Sequence, residues 1–228
     1  YLSIKLSDLM KQYVLVVLLI FCFNAVFAEM EFNVGGKVGI NLSHIRKMED
    51  VPSFKKKLNF GSNFGGIFRV NFNKIIGIQT EVSFAQKGQR WFKQEDSAKY
   101  YNRLVNNYIE IPVLAVFRFG SEKVKFVGYL GTYLAYWSGA YTQNSIQLDK
   151  MTDKAENANY VFTKNDRRFD MGLGTGVGVD FRVGKGWFEL MARHNLGLLN
   201  RYKDSPLKSY NCNFNISIAY LFDFTKHE

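Results

Sequence analysis

Residues 212–224 alternate strictly. Phe214, Ile216, Ile218, Tyr220, Phe222 and Phe224 take every second position, with Asn213, Asn215, Ser217, Ala219, Leu221 and Asp223 between them. A period of two sends the first set to one face of a β-strand and the second set to the other. One face is then continuously apolar and aromatic, while the other is mostly small or polar. The run has the length of a tilted strand crossing a bilayer, about 9–11 residues. A single run of this kind fits a soluble strand equally well; its repetition along the chain is what constrains the fold.

The chain starts with a different kind of segment. Met10-Lys11 opens a cationic region, Tyr13 to Phe23 is apolar, and Ala25-Val26-Phe27-Ala28 offers small residues at cleavage positions. This reads as a secretory signal peptide cut after Ala28, with Met10 as the true start and residues 1–9 as upstream sequence. The apolar core is short for a membrane anchor helix of about 20 residues. Phe21 before Cys22 argues against a lipoprotein signal, which needs a small residue there. Residues 29–228 then form one domain. Cys22 leaves with the signal, and Cys212 alone makes neither an internal disulfide nor a cysteine-based metal site. No cofactor is expected. Losing Lys5, Lys11 and Asp8 lowers the formal charge from +10 to +9. An exported basic chain meets anionic membrane surface rather than nucleic acid.

The alternation recurs in 34–42, 60–72, 76–87, 109–119, 169–183 and 188–196. Val124 to Gly139 is a further strand, apolar on both sides. Asn73-Lys74, Gly120 to Lys123 and Gly184 to Gly186 form short turns, whereas 43–57, 88–106, 140–168 and 199–211 read as long polar loops. Pro112 breaks a ladder bond within its strand and predicts a bulge. Eight strands therefore have connections alternating long and short. This rhythm predicts an all-β, eight-stranded antiparallel up-and-down transmembrane β-barrel, with periplasmic turns and outer loops. Backbone groups in lipid must all be paired, so the sheet closes. A soluble lipocalin-like barrel, aromatic side inward around a ligand cavity, is the rival arrangement; the loop rhythm speaks against it.

Facing the apolar set to lipid sends Lys37, Arg69, Glu81, Glu110, Arg118, Asp170, Asp180, Arg182, Glu189 and Arg193 inward. Five of each sign balance. Eight strands enclose only enough width for side chains to fill, so the expectation is a plugged, salt-bridged core; a narrow ion path is the alternative. Gly172, Gly174, Gly176 and Gly178 alternate within a strand. They lack the strand–glycine–helix context of a phosphate loop and read instead as space left for large residues opposite.

The surplus charge sits in the loops. Lys and Arg outnumber acids by five to two in 43–57, four to two in 88–106, five to four in 140–168 and three to one in 199–211. Arg46, Lys55, Lys56, Lys57, Arg90 and Lys93 are candidates to contact lipopolysaccharide phosphates, so outer-membrane lipid and lipopolysaccharide are the expected partners, with envelope proteins as further ones. Trp91, Tyr100, Tyr101, Tyr108, Tyr136, Trp137, Tyr141, Trp187, Tyr202 and Tyr210 lie near strand ends and fit aromatic girdles at the interfaces.

Val34-Gly-Gly-Lys-Val-Gly-Ile-Asn-Leu42, Ile78-Gln-Thr-Glu-Val-Ser-Phe-Ala-Gln-Lys-Gly88, Tyr108-Ile-Glu-Ile-Pro-Val-Leu114 and Gly172-Leu-Gly-Thr-Gly-Val-Gly178 together resemble the PorT-like outer-membrane β-barrel family. The resemblance spans nearly all of the mature chain. It implies an outer-membrane barrel and makes Pro112 a family feature. The founding member of that family is linked to protein secretion, a role the resemblance alone does not transfer.

Three functions follow as expectations. The first is a structural or interaction barrel at the cell surface. The second is a narrow transporter or secretion-associated component. The third, a lipid-modifying enzyme, needs a hydroxyl nucleophile beside a histidine base. His44 follows Ser43, and strand neighbours point to opposite faces. His194 has no serine two positions away, and His227 sits in the tail. No catalytic residue is assigned.

Overall fold

The computed structural model describes residues 30–47, 53–95, 98–148, 151–152, 156–204 and 208–225. The signal peptide read over residues 1–28 and His227 lie outside the described residues. The strands are β1 (Glu31–Arg46), β2 (Lys55–Lys57), β3 (Asn59–Asn71), β4 (Ile76–Glu95), β5 (Ala98–Gly120), β6 (Val124–Leu148), β7 (Met151–Thr152), β8 (Glu156–Asn159), β9 (Phe169–Val183), β10 (Gly186–Gly197) and β11 (Tyr210–Asp223).

Eight of them close a ring in the order β1, β3, β4, β5, β6, β9, β10, β11 and back to β1. Every pairing is antiparallel; each joins strands that follow one another in the ring's chain order, except β1–β11, which closes first strand to last. Closure leaves the ring with no free edge, which is what a sheet needs in hydrocarbon. The turns at one end are short. Asn73 Oδ1 accepts the backbone N–H groups of Ile75 and Ile76, both at 2.8 Å. Gly184, at φ 57°, supplies the left-handed residue of the β9–β10 turn.

The faces sort as the alternation predicts. Phe60, Phe64, Phe126, Leu130, Val177 and Phe222 stand on the outer wall, each more than half exposed. Asn41, Gln79, Glu81, Asp180 and Glu189, which share the inner face, are 1 % exposed or less. A water-soluble barrel has the reverse arrangement, so the lipocalin-like alternative falls.

Three expectations need correction. The loop expected over 88–106 is strand: β4 and β5 stay paired to Glu95 and Ala98. At about 3.3 Å per residue, the 23 residues of β5 reach about 75 Å, more than twice the hydrocarbon thickness. Its first half therefore stands outside the membrane with β4 and β6. β2 adds to the β4 edge, while β7 and β8 add to β6, making a β-ribbon above the barrel. The loop over 140–168 is likewise strand as far as Leu148. Finally, the bulge lies between Asn107 and Tyr108, not at Pro112. At Pro112 the β5 strand continues in register, and the ladder to β4 skips only the pairs between Thr80–Val113 and Ser83–Glu110. A residue with no N–H drops a bond without displacing the strand.

Candidate functional site

The bore is filled in layers, each built by inward positions of several strands. Nearest the short turns, Arg69 on β3 donates to Gln79 (Nε, 2.7 Å) and Asp180 (Nη1, 2.9 Å), and pairs with Glu189. Arg118 Nε lies 3.3 Å from the same Asp180. In the next layer, Arg193 on β10 grips Glu81 with both terminal nitrogens, at 2.7 and 3.1 Å, and Lys37 on β1 pairs with the same carboxylate. Above these, Lys87 pairs with Glu110 and sits 4.6 Å from the centre of the Tyr133 ring. Asp170 accepts from Asn211 Nδ2 at 2.8 Å and Tyr133 Oη at 3.3 Å.

Glycines make the room. A Cβ on Gly172 would come within 2.5 Å of the Tyr133 ring, one on Gly176 within 3.1 Å of Arg193 Cβ, and one on Gly178 within 3.3 Å of the Tyr129 ring. The glycine series on β9 thus holds two tyrosines and an arginine in a bore too narrow for them beside larger neighbours.

Nine of the ten residues expected inside are buried there. Arg182 is the exception: it sits at the mouth beside the short turns, bonded to Asp223 Oδ2 at 2.9 Å, with its side chain 28 % exposed. Lys87 takes its place in the interior. The alternation over 76–87 makes it a strand end, but β4 continues to Glu95, so Lys87 keeps the odd-numbered phase of Glu81. The balance survives: Lys37, Arg69, Lys87, Arg118 and Arg193 face five carboxylates, none of the ten more than 5 % exposed. Buried ions are tolerated when paired, and the surrounding asparagines and tyrosines add hydrogen bonds to the pairs.

The aromatic reading is corrected at both ends. Trp91, Tyr108, Trp137 and Trp187 point inward and are buried, not set in a lipid-facing girdle. Trp137 closes the mouth at the end away from the short turns. Residues 160–168 fold over it: Phe162 meets Trp137 edge-on at 4.9 Å and Tyr160 stacks at 5.5 Å. Arg201 lies 4.5 Å over Trp137, and Arg168 lies 4.0 Å over Phe162. Asp166 fixes this segment by accepting from Thr163 N at 2.6 Å and Tyr160 Oη at 3.0 Å. Burial pushes the Tyr160 phenol well above its ordinary value, and the Asp166 carboxylate adds to the shift.

The basic candidates divide between faces. Lys55 pairs across from Phe92 and Lys57 from Arg90, while Arg90 stands opposite Arg103 and Phe92 opposite Tyr101. Directly opposed residues share a face. Lys55, Lys57, Arg90 and Arg103 therefore gather around Phe92 and Tyr101 on the side that continues the lipid-facing wall. Lys57 lies 4.6 Å over Phe92, and Arg90 lies 5.5 Å over Tyr101. A cleft of about 410 Å³ opens there between Arg90, Tyr101, Arg103, Gln143, Ser145 and Gln147. Lys56 and Lys93 belong to the other face, with Trp91. Arg46 stands apart on β1, bonded to Gly197 O at 2.9 Å and 5.6 Å over Tyr210. Arg103 was missed because residues 88–106 looked like a loop; with the strand pattern extended through them, it faces Arg90.

Ser43 and His44 belong to β1, not a loop. Ser43 turns inward and donates to Asn59 O at 3.3 Å, while His44 faces outward. His194 Nε2 lies 3.3 Å from Cys212 Sγ on the outer wall.

The sequence profile of the family described as "Outer membrane protein beta-barrel domain" matches residues 27–203. No curated protein matches the chain significantly. Among solved structures, Neisserial surface protein A (NspA) is 14 % identical, with 85 % of this chain and 97 % of that one covered at a TM-score of 0.46. OprG of Pseudomonas aeruginosa is 11 % identical, covering 86 % and 96 % at 0.48. Ail of Yersinia pestis is 19 % identical, covering 84 % and 99 % at 0.40. The family match extends from the first strand of the ring into the loop before the last, and the chain belongs to the outer membrane protein β-barrel domain family.

Proposed function

We propose that this protein is a non-conducting, non-enzymatic surface barrel whose outer ribbon binds lipopolysaccharide, and that it reaches the outer membrane by means of the signal peptide over residues 1–28. One observation carries the reading. The wall that faces lipid is apolar as far as Phe60 and then turns basic on the same side, at Lys55, Lys57, Arg90 and Arg103. A basic zone directly beyond a lipid-facing apolar wall supports contact with lipopolysaccharide phosphates. Arginine forks and lysine ammonium groups suit phosphate oxygens, and Tyr101 and Phe92 offer faces for the sugar rings between the phosphates. Arg46 extends the basic zone around the rim, and envelope proteins could reach the exposed ribbon from above. The test is flotation of the purified protein, in detergent-free nanodiscs, with lipopolysaccharide aggregates at rising salt. Lys55→Gln/Lys57→Gln/Arg90→Gln should weaken binding and flatten its salt dependence. Equal binding by variant and parent would overturn the reading.

The PorT-like motifs support a second reading, membership of that narrower group with a secretion-associated role. Here the ribbon would dock a partner protein instead of lipid. Cross-linking from Lys55 and Lys57 in intact cells separates the two: protein adducts favour the second reading, and lipopolysaccharide adducts the first.

A further inference from the structure

The barrel is open at its periplasmic end. A cup of about 650 Å³ lies between the short turns and the Arg69 layer, within the size range of small-molecule sites. Trp187 stands in it, 4 % exposed. Three cations crowd the indole: Arg118 at 4.6 Å, Arg182 at 5.2 Å and Lys125 at 5.8 Å. Lys74 and Lys123 add two more charges at the lip, against the carboxylates of Glu31 and Glu122. Five cations over two acids leave the lining at +3, and Asp223, paired with Arg182, brings the mouth to +2.

Arg118 is the telling group. Its side chain is 1 % exposed; Nη1 donates to Glu31 at 3.2 Å and Nε approaches Asp180, yet Nη2 is buried with no hydrogen-bond partner. A guanidinium N–H left without an acceptor in a buried position is costly, and a cup with excess positive charge invites an anion to supply one. The fork geometry and the net charge suit a dianionic phosphate better than a single carboxylate.

We infer that the periplasmic cup is a phosphate-binding site, with Arg118 at its floor, Lys123 and Lys125 at its lip and Trp187 as its wall. It is a dead end, because the Arg69, Asp180 and Glu189 layer closes the bore above it. The ligand therefore enters and leaves from the periplasm. Two sources carry that chemistry, a soluble phosphate monoester and the headgroup of an inner-leaflet lipid.

The probe is inorganic phosphate, titrated at constant ionic strength into the full mature chain in dodecylmaltoside, read by calorimetry and tryptophan emission. Saturable heat and an emission change that vanishes in Trp187→Phe are expected. Each charge-assisted bond removed should weaken binding about ten-fold or more, so Lys123→Gln/Lys125→Gln, the first exposed and the second half-buried at the rim, decides the matter outside the ionic layers. Lys164→Gln, exposed at the opposite end, should leave the affinity unchanged. A non-saturable response, or equal affinity in the lip variant and the parent, would overturn the site. Repeating the titration in nanodiscs with and without phosphatidylglycerol separates the sources. Unchanged affinity assigns a soluble phosphate, and affinity lowered by the anionic lipid assigns the headgroup.

Discussion

Arg193 reaches across the bore from β10 to Glu81 on β4, 112 residues earlier in the chain, and holds it through two bonds at 2.7 and 3.1 Å. Lys37, on a third strand, closes on the same carboxylate. Three strands that are not all neighbours are thereby fixed at one height. The pairs do not create net stability, since desolvation consumes most of what the attraction returns. They specify instead: a strand slipped by two residues would keep its apolar face to lipid but leave these ions unmatched.

Glu81→Gln strands two buried cations on one neutral amide. Breaking a buried pair by removing one partner costs about 3–5 kcal/mol. Urea unfolding in detergent, followed by heat-modifiable gel mobility, should show a loss of that order. Lys74→Gln, at the exposed lip, should unfold with the parent.

The eight-strand plan and the two faces could be read from the chain because a lipid-facing wall forces strict alternation. The ribbon could not, because above the membrane both faces meet water or sugar. The apolar signal that marks a strand then disappears: residues 88–106 look like loop, while Trp91 and Arg103 keep the phase of the strands they extend. Lys87 was lost to the same cut. Trp187 was misjudged differently. Its type suggested a girdle, but its odd number matches Glu189 and Arg193 on the inner face. Phase along a strand was the better guide. The cross-bore pairings stayed hidden because the relative heights of non-adjacent strands depend on the stagger of the whole ring.

Gly172 on β9 should tolerate nothing larger. A Cβ at Gly172 meets Leu196 O at 2.2 Å and the Tyr133 ring at 2.5 Å, and the first of these is backbone that cannot turn aside. Overpacking of this kind costs about 1–3 kcal/mol, so Gly172→Ala should lower the unfolding midpoint. Gly36→Ala is the control. Its Cβ would have nothing nearer than Gly65 O at 3.8 Å, and a change within about 0.5 kcal/mol is expected.

Arg103 ties the base of the ribbon together. It donates to Asn59 Oδ1 at 2.6 Å, to Gln143 Oε1 at 3.2 Å and to the Phe60 carbonyl. Arg103→Met should speed trypsin cleavage within the ribbon while the barrel keeps its heat-modifiable mobility. Arg103→Lys should restore little, because one ammonium cannot span three acceptors held in a plane.

The filled bore should be electrically silent, and silent redundantly. Trp137→Ala removes the plug of the outer mouth and should cost about 3–5 kcal/mol. It leaves the Lys87–Glu110, Glu81–Arg193 and Arg69–Glu189 layers intact below. Planar-bilayer recordings of both parent and Trp137→Ala should therefore stay at baseline. Steps in the variant alone would mean that Trp137 is the only real barrier and the ionic layers are wet. Reproducible steps in the parent would mean that ions pass between the paired side chains, and the bore would then have to be read as a path rather than a core.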